Sequence, residues 1–337
     1  MTERAPSPKS SAVEPPKERQ GMNIFGAVAS VILFGAALYV LYRVAGEVKP
    51  DDVIAAFHKA GREQIGLAVV FTLLSYLFLT GYDALAMRQL AIKAHVARVA
   101  FASFTSYAIS FTLGFPWLTA GAVRYWIYSA TGISSSKVAS LTLIAGMTFI
   151  LGMAAVFGIG LIWQAEAISY INQATASVNQ LIGMAVLSGI LVYLVWAAAK
   201  KRHMRIKTFM IELPTLNVSL GQLALGAADV CAAAAVLYVL LPEGHGIAFE
   251  TFAAVYAFAC ILGVVSNAPG GLGVFEATIL LALHNLPREG VISALLLFRL
   301  CYYLGPFLMA VIALALYEIV IRFLKFRARV NGPEIDE

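Results

Sequence analysis

The chain is 337 residues long, 60% hydrophobic and only 13% charged, with a mean hydropathy of +0.81. That balance excludes an ordinary soluble globular domain. The formal net charge of +5 does not point to nucleic acid, because most lysines and arginines fall in short loops and tails, where they report topology and meet anionic headgroups.

Residues 1–22 are rich in Pro, Ser, Lys and Glu and read as a disordered tail. The run Ile24–Leu41 is too long for the apolar region of a signal peptide and lacks a small-residue cleavage site, so the first transmembrane helix is expected at about 23–42. Before the next apolar run, Pro50-Asp51-Asp52 followed by Val53, Ile54 and Phe57 suggests a short helix lying on the outer surface. Further apolar segments fall at about 66–87, 99–118, 138–163, 181–199, 218–241, 249–266 and 291–321, with a short one at 274–284. A full span takes about 20 residues.

Loop charges conflict with a simple count of spans. If every long segment crosses, the loop 164–180, which holds no Lys or Arg, faces the cytoplasm. The loop 200–216, with Lys200, Lys201, Arg202, Arg205 and Lys207, then faces outward, against the positive-inside rule. The conflict disappears if two segments enter and return without crossing. The first, 99–118, enters from the cytoplasm, breaks among Gly114, Pro116 and Thr119-Ala120-Gly121, and returns through 122–132. The second, 249–266, enters from the other side, turns at Pro269-Gly270-Gly271 and returns through 274–284. Both termini are then cytoplasmic, with Arg322, Lys325, Arg327 and Arg329 inside. The exception is loop 43–64, which carries Arg43, Lys49, Lys59 and Arg62 outward together with Glu47, Asp51, Asp52 and Glu63.

The expected fold is therefore an all-α polytopic membrane protein of about six full transmembrane helices plus two re-entrant helical hairpins in an inverted repeat. A single transmembrane domain spans 23–321, with repeat halves at about 23–163 and 181–321, and 322–337 is a cytoplasmic tail. An offset of about 152 places Gly121 on Gly273 and Arg124 on Glu276.

The stretch Asn267-Ala-Pro-Gly-Gly-Leu-Gly-Val-Phe-Glu276 is the strongest pointer to a site. Unpaired backbone at membrane depth survives only where protein or water covers it. Gly121, Pro269, Gly270, Gly271 and Gly273 are assigned to the turns, with Asn267 and Glu276 flanking the second. Arg124 and Glu276 either face one cavity, contacting a headgroup or each other, or snorkel to an interface. Asp83 either anchors its helix at the inner surface or joins a site. Asp229 sits mid-helix among Ala and Leu, where a lone carboxylate must be paired or wet. Arg299 suits bidentate phosphate contact, or it pairs structurally with Asp229 or Glu276. Tyr125, in the aromatic run Tyr125-Trp126-Ile-Tyr128, belongs either to a site or to an interfacial belt. Cys231, Cys260 and Cys301 read as small buried hydrophobes. The sequence offers no nucleotide loop, nucleophile elbow or metal-ligand spacing, so no cofactor and no metal are expected.

Three motifs carry a family resemblance. Leu74-Ser-Tyr-Leu-Phe-Leu-Thr-Gly-Tyr-Asp83 resembles the second-helix signature of the lysylphosphatidylglycerol synthetase/flippase family. Thr119-Ala-Gly-Ala-Val-Arg-Tyr-Trp-Ile-Tyr-Ser-Ala-Thr-Gly-Ile133 resembles its Gly-Gly-x-Val-Arg-Tyr-Arg-x-Tyr-Ser-x-x-Gly motif, and the stretch 267–276 its Pro-Gly-Gly-Leu/Ile-Gly-x-Phe-Glu/Asp motif. Thr119-Ala120 replaces the usual leading small pair, and Trp126 stands where a second Arg is common. The family's soluble aminoacyl-transfer domain does not follow residue 321, so the resemblance covers the membrane half, which it assigns to lipid translocation.

The resemblance implies a flippase- or scramblase-like transporter in a bacterial-type inner membrane, with phospholipid as ligand. Arg124 and Arg299 would hold phosphate; Glu276, Asp229 and Asp83 would balance a cationic headgroup such as an aminoacyl moiety. Movement would be passive or ion-coupled. The alternatives are a membrane-embedded transferase acting on a lipid-linked substrate, with Glu276 or Asp229 as general base, and a non-catalytic partner of a separate aminoacyl-lipid synthase. A second copy of the chain is a further candidate partner; nucleic acid is not.

Overall fold

A computed structural model describes residues 35, 50–114, 116–199, 203–206, 209–212, 214–266 and 271–330. The expected tail 1–22, the first span 23–42 apart from Gly35, the positions Asn267, Pro269 and Gly270, and residues 331–337 lie outside the described residues.

The described chain is a helical bundle. After α1 (Pro50–Lys59) come α2 (Arg62–Gln89), α3 (Val96–Leu113), α4 (Pro116–Ser129), α5 (Ser135–Trp163), α6 (Ala165–Asn172) and α7 (Ala176–Ala198). A two-stranded antiparallel hairpin follows, β1 (His203–Ile206) with β2 (Phe209–Glu212), pairing His203 with Glu212 and Ile206 with Phe209. Then come α8 (Leu216–Leu240), α9 (Phe249–Val265), α10 (Val274–Ala282), α11 (Arg288–Phe298), a π-helical turn (Arg299–Leu304) and α12 (Gly305–Val330). Six of these stretches are long and apolar enough to cross a bilayer: α2, α3, α5, α7, α8 and the continuous run Arg288–Phe323. The chain is an all-α multi-pass membrane protein, and the strand pair in the basic loop is the addition that the sequence did not announce.

The packing is that of helices in lipid. Long helices such as α5 and α7 are apolar around their whole circumference, so no polar face marks which side is buried. Small residues settle the matter. Ala232, Ala233, Ala234 and Ala235 of α8 are all buried, while Leu181, Met184, Leu191, Val192 and Val195 of α7 and Ile312, Leu316 and Ile319 of α12 are exposed on the outer surface. Large apolar side chains face lipid, and small ones let helices approach. The closest approach is between α5 and α8, where Gly152 and Gly226 meet backbone to backbone. A β-carbon on Gly152 would collide with the Gly226 backbone, and one on Gly226 with the Thr148 carbonyl.

Helices α2 and α8 form the central pair. The Gln64 amide donates to the Leu241 carbonyl at 2.9 Å, Gly290 packs on Pro242, and Lys59 meets Glu289 at 3.5 Å, so the starts of α2 and α11 and the end of α8 share one end of the bundle. Leu85 packs near Gly221 at the other end. Thus α2 and α11 run parallel and α8 runs against them.

Each half contains a broken helix pair. Gly114, with φ +80°, ends α3; its N–H reaches the Ser110 carbonyl, and its own carbonyl accepts the Thr119 hydroxyl at 3.0 Å. Pro116 then opens α4, where a missing N–H costs nothing. The two helices pack on one another. Gly121, expected in this turn, lies inside α4; the break falls earlier because a left-handed glycine and a helix-opening proline act together there. In the second half α9 and α10 pack together across the break, with Gly271 (φ +66°) and Gly273 (φ +82°) in conformations that favour glycine and the Gly271 backbone lying against Gly263.

The Gly152–Gly226 contact leaves no room for a side chain. Replacing either glycine with leucine is expected to cost roughly 3 kcal/mol or more through overpacking. Thermal unfolding in detergent checks this; Gly189→Leu, at an open position, should leave the midpoint unchanged.

Candidate functional site

Three charged or polar clusters lie along the bundle axis. The first joins α2 to α4. Arg124 donates from Nε to Asp83 Oδ2 at 2.9 Å and from Nη2 to Asp83 Oδ1 at 2.8 Å, a two-bond fork. Both side chains are buried, and the Arg124 guanidinium also lies over the Tyr107 ring, 4.8 Å from its centroid. Asp83 is therefore not a surface anchor.

The second cluster surrounds Asp229 of α8. Its carboxylate accepts from the Ser75 hydroxyl at Oδ1 and from the Tyr82 hydroxyl, at 2.8 Å, at Oδ2. Ser75 Oγ and Tyr302 OH are 2.9 Å apart. When Asp229 is charged, Ser75 gives it its one proton and Tyr302 then donates the second bond. Ser75, Tyr82 and Asp229 are all buried. Ser75 and Tyr82 share one face of α2 because they are two helical turns apart.

The third cluster joins α10 to the π-helical turn. Arg299 donates from Nε to Glu276 Oε1 at 2.7 Å, while Glu276 Oε2 accepts the Gly273 N–H at 2.8 Å. Arg299 stacks over Tyr303, 4.6 Å from its ring centroid, and the pair is only partly buried. The π-helical turn has a local cause. Pro306 cannot donate to the Tyr302 carbonyl, and the Gly305 N–H reaches the Leu300 carbonyl five residues back. The freed Tyr302 carbonyl accepts the Tyr76 hydroxyl at 3.4 Å.

The shared end of α2 and α11 fixes the order of these clusters. Arg299 precedes Tyr302, which is level with Ser75, and Asp83 lies about 12 Å further along α2 at the helical rise per residue. The two arginine–carboxylate pairs thus flank Asp229 on opposite sides.

Beside Asp229 is a cavity of about 390 Å³, within the range of small-molecule sites. Among the described residues, Asp229 and Arg124 are its charged lining residues, and Tyr107, Tyr256, Tyr302 and Tyr303 also line it. Its lining also includes Trp117, Ile150 and Val264, which are 49%, 47% and 62% exposed on the apolar outer surface. The cavity therefore runs from buried charge to the lipid-facing side of the bundle, and Gly114, Gly263 and Gly271, beside the two helix breaks, lie in its wall.

Of the residues singled out from sequence, Arg124 and Asp229 line this cavity. Asp83 holds Arg124 from behind, and Glu276 and Arg299 pair at its edge, where their neighbours Phe275 and Tyr303 line it. Gly271 lines the cavity and Gly273 caps Glu276; Gly121 faces Thr142 from within α4. Tyr125 is half-buried against the core and does not line the cavity. Asn267, Pro269 and Gly270 are outside the described residues. Sequence reasoning missed Ser75, Tyr82 and Tyr107. The signal available for the first two was their spacing on the helix that ends in Asp83.

The sequence profile of the lysylphosphatidylglycerol synthase transmembrane region matches residues 25–310. An uncharacterised protein of Synechocystis sp. is 31% identical over 311 residues, 92% of this chain and 95% of that protein. The inner membrane protein YbhN of Escherichia coli is 30% identical over 295 residues, 85% of this chain and 90% of its own length. The phosphatidylglycerol lysyltransferase of Staphylococcus aureus is 26% identical over 310 residues, which cover 83% of this chain but 33% of that protein.

The buried fork predicts a specific pattern of stability. Asp83→Ala leaves a buried guanidinium without its partner and is expected to cost about 3–5 kcal/mol, whereas the double change Asp83→Leu with Arg124→Met should recover most of the loss. Denaturation of the single and double variants in detergent is the check; equal losses in both would mean that the pair is not the stabilising unit.

Proposed function

The chain belongs to the lysylphosphatidylglycerol synthase transmembrane-region family, and from that premise we propose that it moves phospholipid between the leaflets of a bacterial inner membrane. The observation that carries this reading is the sideways mouth of the cavity. A polar headgroup can sit against Arg124 and Asp229 while its acyl chains stay in the bilayer beside Trp117 and Val264. Arg124, already oriented by Asp83, is suited to the phosphate. Asp229 is suited to a cationic part of the headgroup, such as the aminoacyl group of an aminoacylated phosphatidylglycerol.

In this proposal the pairs α3–α4 and α9–α10 are re-entrant hairpins that approach from opposite leaflets, the halves are inverted repeats and both termini face the cytoplasm. The Arg299–Glu276 pair then acts at the edge of the path rather than as a direct phosphate clamp. A separate aminoacyl-lipid synthase is a fitting partner, since the S. aureus phosphatidylglycerol lysyltransferase matches this chain over only 33% of its own length. The same relative's name motivates the second reading, a transferase acting on a lipid-linked substrate. In that case Asp229 is the candidate base, because Glu276 is already engaged by Arg299 and by the Gly273 N–H.

Proteoliposomes containing acyl-labelled phosphatidylglycerol or its lysyl derivative, with a leaflet-selective quencher, test the transport reading. Ala233 lines the cavity and is buried, so Ala233→Phe fills it without replacing any charged residue. Lipid flux is expected to fall about tenfold or more in Ala233→Phe and in Arg124→Lys, as for loss of a charge-assisted contact. Wild-type rates in both folded variants would contradict the assignment. Product formation only on adding a soluble aminoacyl donor would instead support the transferase reading.

A further inference from the structure

We propose that Asp229 is a proton-exchange site: its carboxyl carries a proton while the cavity is empty and releases it when the ammonium group of a headgroup arrives. The inference rests on the reading that the cavity admits a headgroup, and it supplies the coupling ion that this reading lacks.

Asp83 and Glu276 each meet an arginine within hydrogen-bonding distance. Asp229 meets only the hydroxyls of Ser75 and Tyr82, and among the described residues no Lys, Arg or His lies within ion-pair distance of it. A carboxylate 2% exposed in the middle of a membrane bundle is expensive without a counter-charge, and such a group neutralises itself by taking a proton unless a cation comes to it.

The neighbours on every packed element fit that account. From α2 come Ser75, Tyr76, Tyr82 and the Arg124-bound Asp83; from α3, Tyr107; from α9, Tyr256 and Cys260. The π-helical turn brings Tyr302, Tyr303 and the Glu276-bound Arg299, and α8 itself adds Cys231. Helix α5 has Lys137 at its start and no other ionisable side chain, α7 brings Tyr193 to Gln222 well below Asp229, and α11 carries Arg288 and Glu289 at its far end. None of these gives Asp229 a positive charge of its own.

The hydrogen-bond partners suit both protonation states. A hydroxyl donates to a carboxylate and, after rotating, accepts from a carboxylic acid; a backbone N–H or a guanidinium can only donate. Ser75 and Tyr82 can therefore satisfy Asp229 charged or neutral, and Tyr302 can follow the rotation of Ser75.

The exchange balances without redox chemistry. The carboxyl O–H bond breaks, the proton passes to water, and the carboxylate accepts a hydrogen bond from an ammonium group that keeps its own protons. The site is neutral when empty and neutral as a carboxylate–ammonium pair when loaded, so each amine-bearing headgroup that enters exchanges for one proton.

Calorimetric titration of the full chain in detergent with dihexanoyl-phosphatidylethanolamine, repeated in buffers of different ionisation heat, counts the protons. About one proton released per lipid bound is expected for the wild type near neutral pH, and none for dihexanoyl-phosphatidylglycerol. Asp229→Asn should abolish release. Tyr82→Phe, which keeps the carboxyl and removes one donor to its charged form, should retain release and move its midpoint to higher pH. Binding without proton release by the wild type, or equal release by Asp229→Asn, would overturn proton exchange and leave the headgroup reading standing. Absence of binding by either lipid would overturn both.

Discussion

A guanidinium cannot stay buried in a helix bundle unless a carboxylate lies against it, and the Arg124–Asp83 fork is where this fold meets that demand. The pair ties α4, the helix that follows the Gly114 break, to α2, one of the two central helices. Remove that tie and α4 loses the charge-assisted contact that fixes its rotation against α2, in a solvent where apolar contacts discriminate poorly. With it in place, Arg124 faces the cavity with its charge compensated and its direction set. Much of the site depends on this, because the base of the cavity lies between α4 and α8, and α8 is held in turn by its backbone-close crossing with α5 at Gly226.

Broken backbone then has a purpose that intact helices could not serve. Gly114 with Pro116, and Gly271 with Gly273, stop helices inside an apolar protein, and the chain around both breaks lines the cavity. Polar backbone is acceptable there because it borders a cavity instead of hydrocarbon. The π-helical turn is a milder case. Pro306 removes one hydrogen bond, Tyr76 covers the carbonyl that is released, and Tyr302 and Tyr303 are both turned toward the cavity. Two arginine–carboxylate pairs and one hydroxyl-held carboxylate result, spaced along the bundle axis.

Much of the fold was legible in the sequence because apolar length is a strong signal. The run 66–87 became α2, 138–163 became α5 and 218–241 became α8, each within a few residues of its expected limits. The short helix expected after Pro50 is present as α1 and packs through the buried Ala56. Positions of turns were less legible. Both Gly114 and Gly121 offered a break, and only the conformation of the first, with the proline behind it, decides between them. Helix α6 was hidden in an expected loop, since eight residues give too few turns for a periodic pattern; it is held by the buried Asn179 amide bonding to the Ala165 carbonyl and Ser169. Site residues were legible by type and not by partner. Asp229 stood out as a carboxylate in an apolar helix, yet its hydroxyl partners on α2 depend on how two apolar helices are rotated, which an all-round apolar pattern does not encode. The Arg299–Glu276 pair was one of two alternatives left open, whereas Asp83 with Arg124 could not be inferred from spacing.

Sideways entry of a headgroup into the cavity is tested most directly by an experimental structure of the protein in lipid nanodiscs. Such entry predicts headgroup density between Arg124 and Asp229, with acyl chains leaving past Trp117 and Val264 into the surrounding lipid. A cavity sealed from the bilayer and opening only to water at one end of the bundle would contradict it.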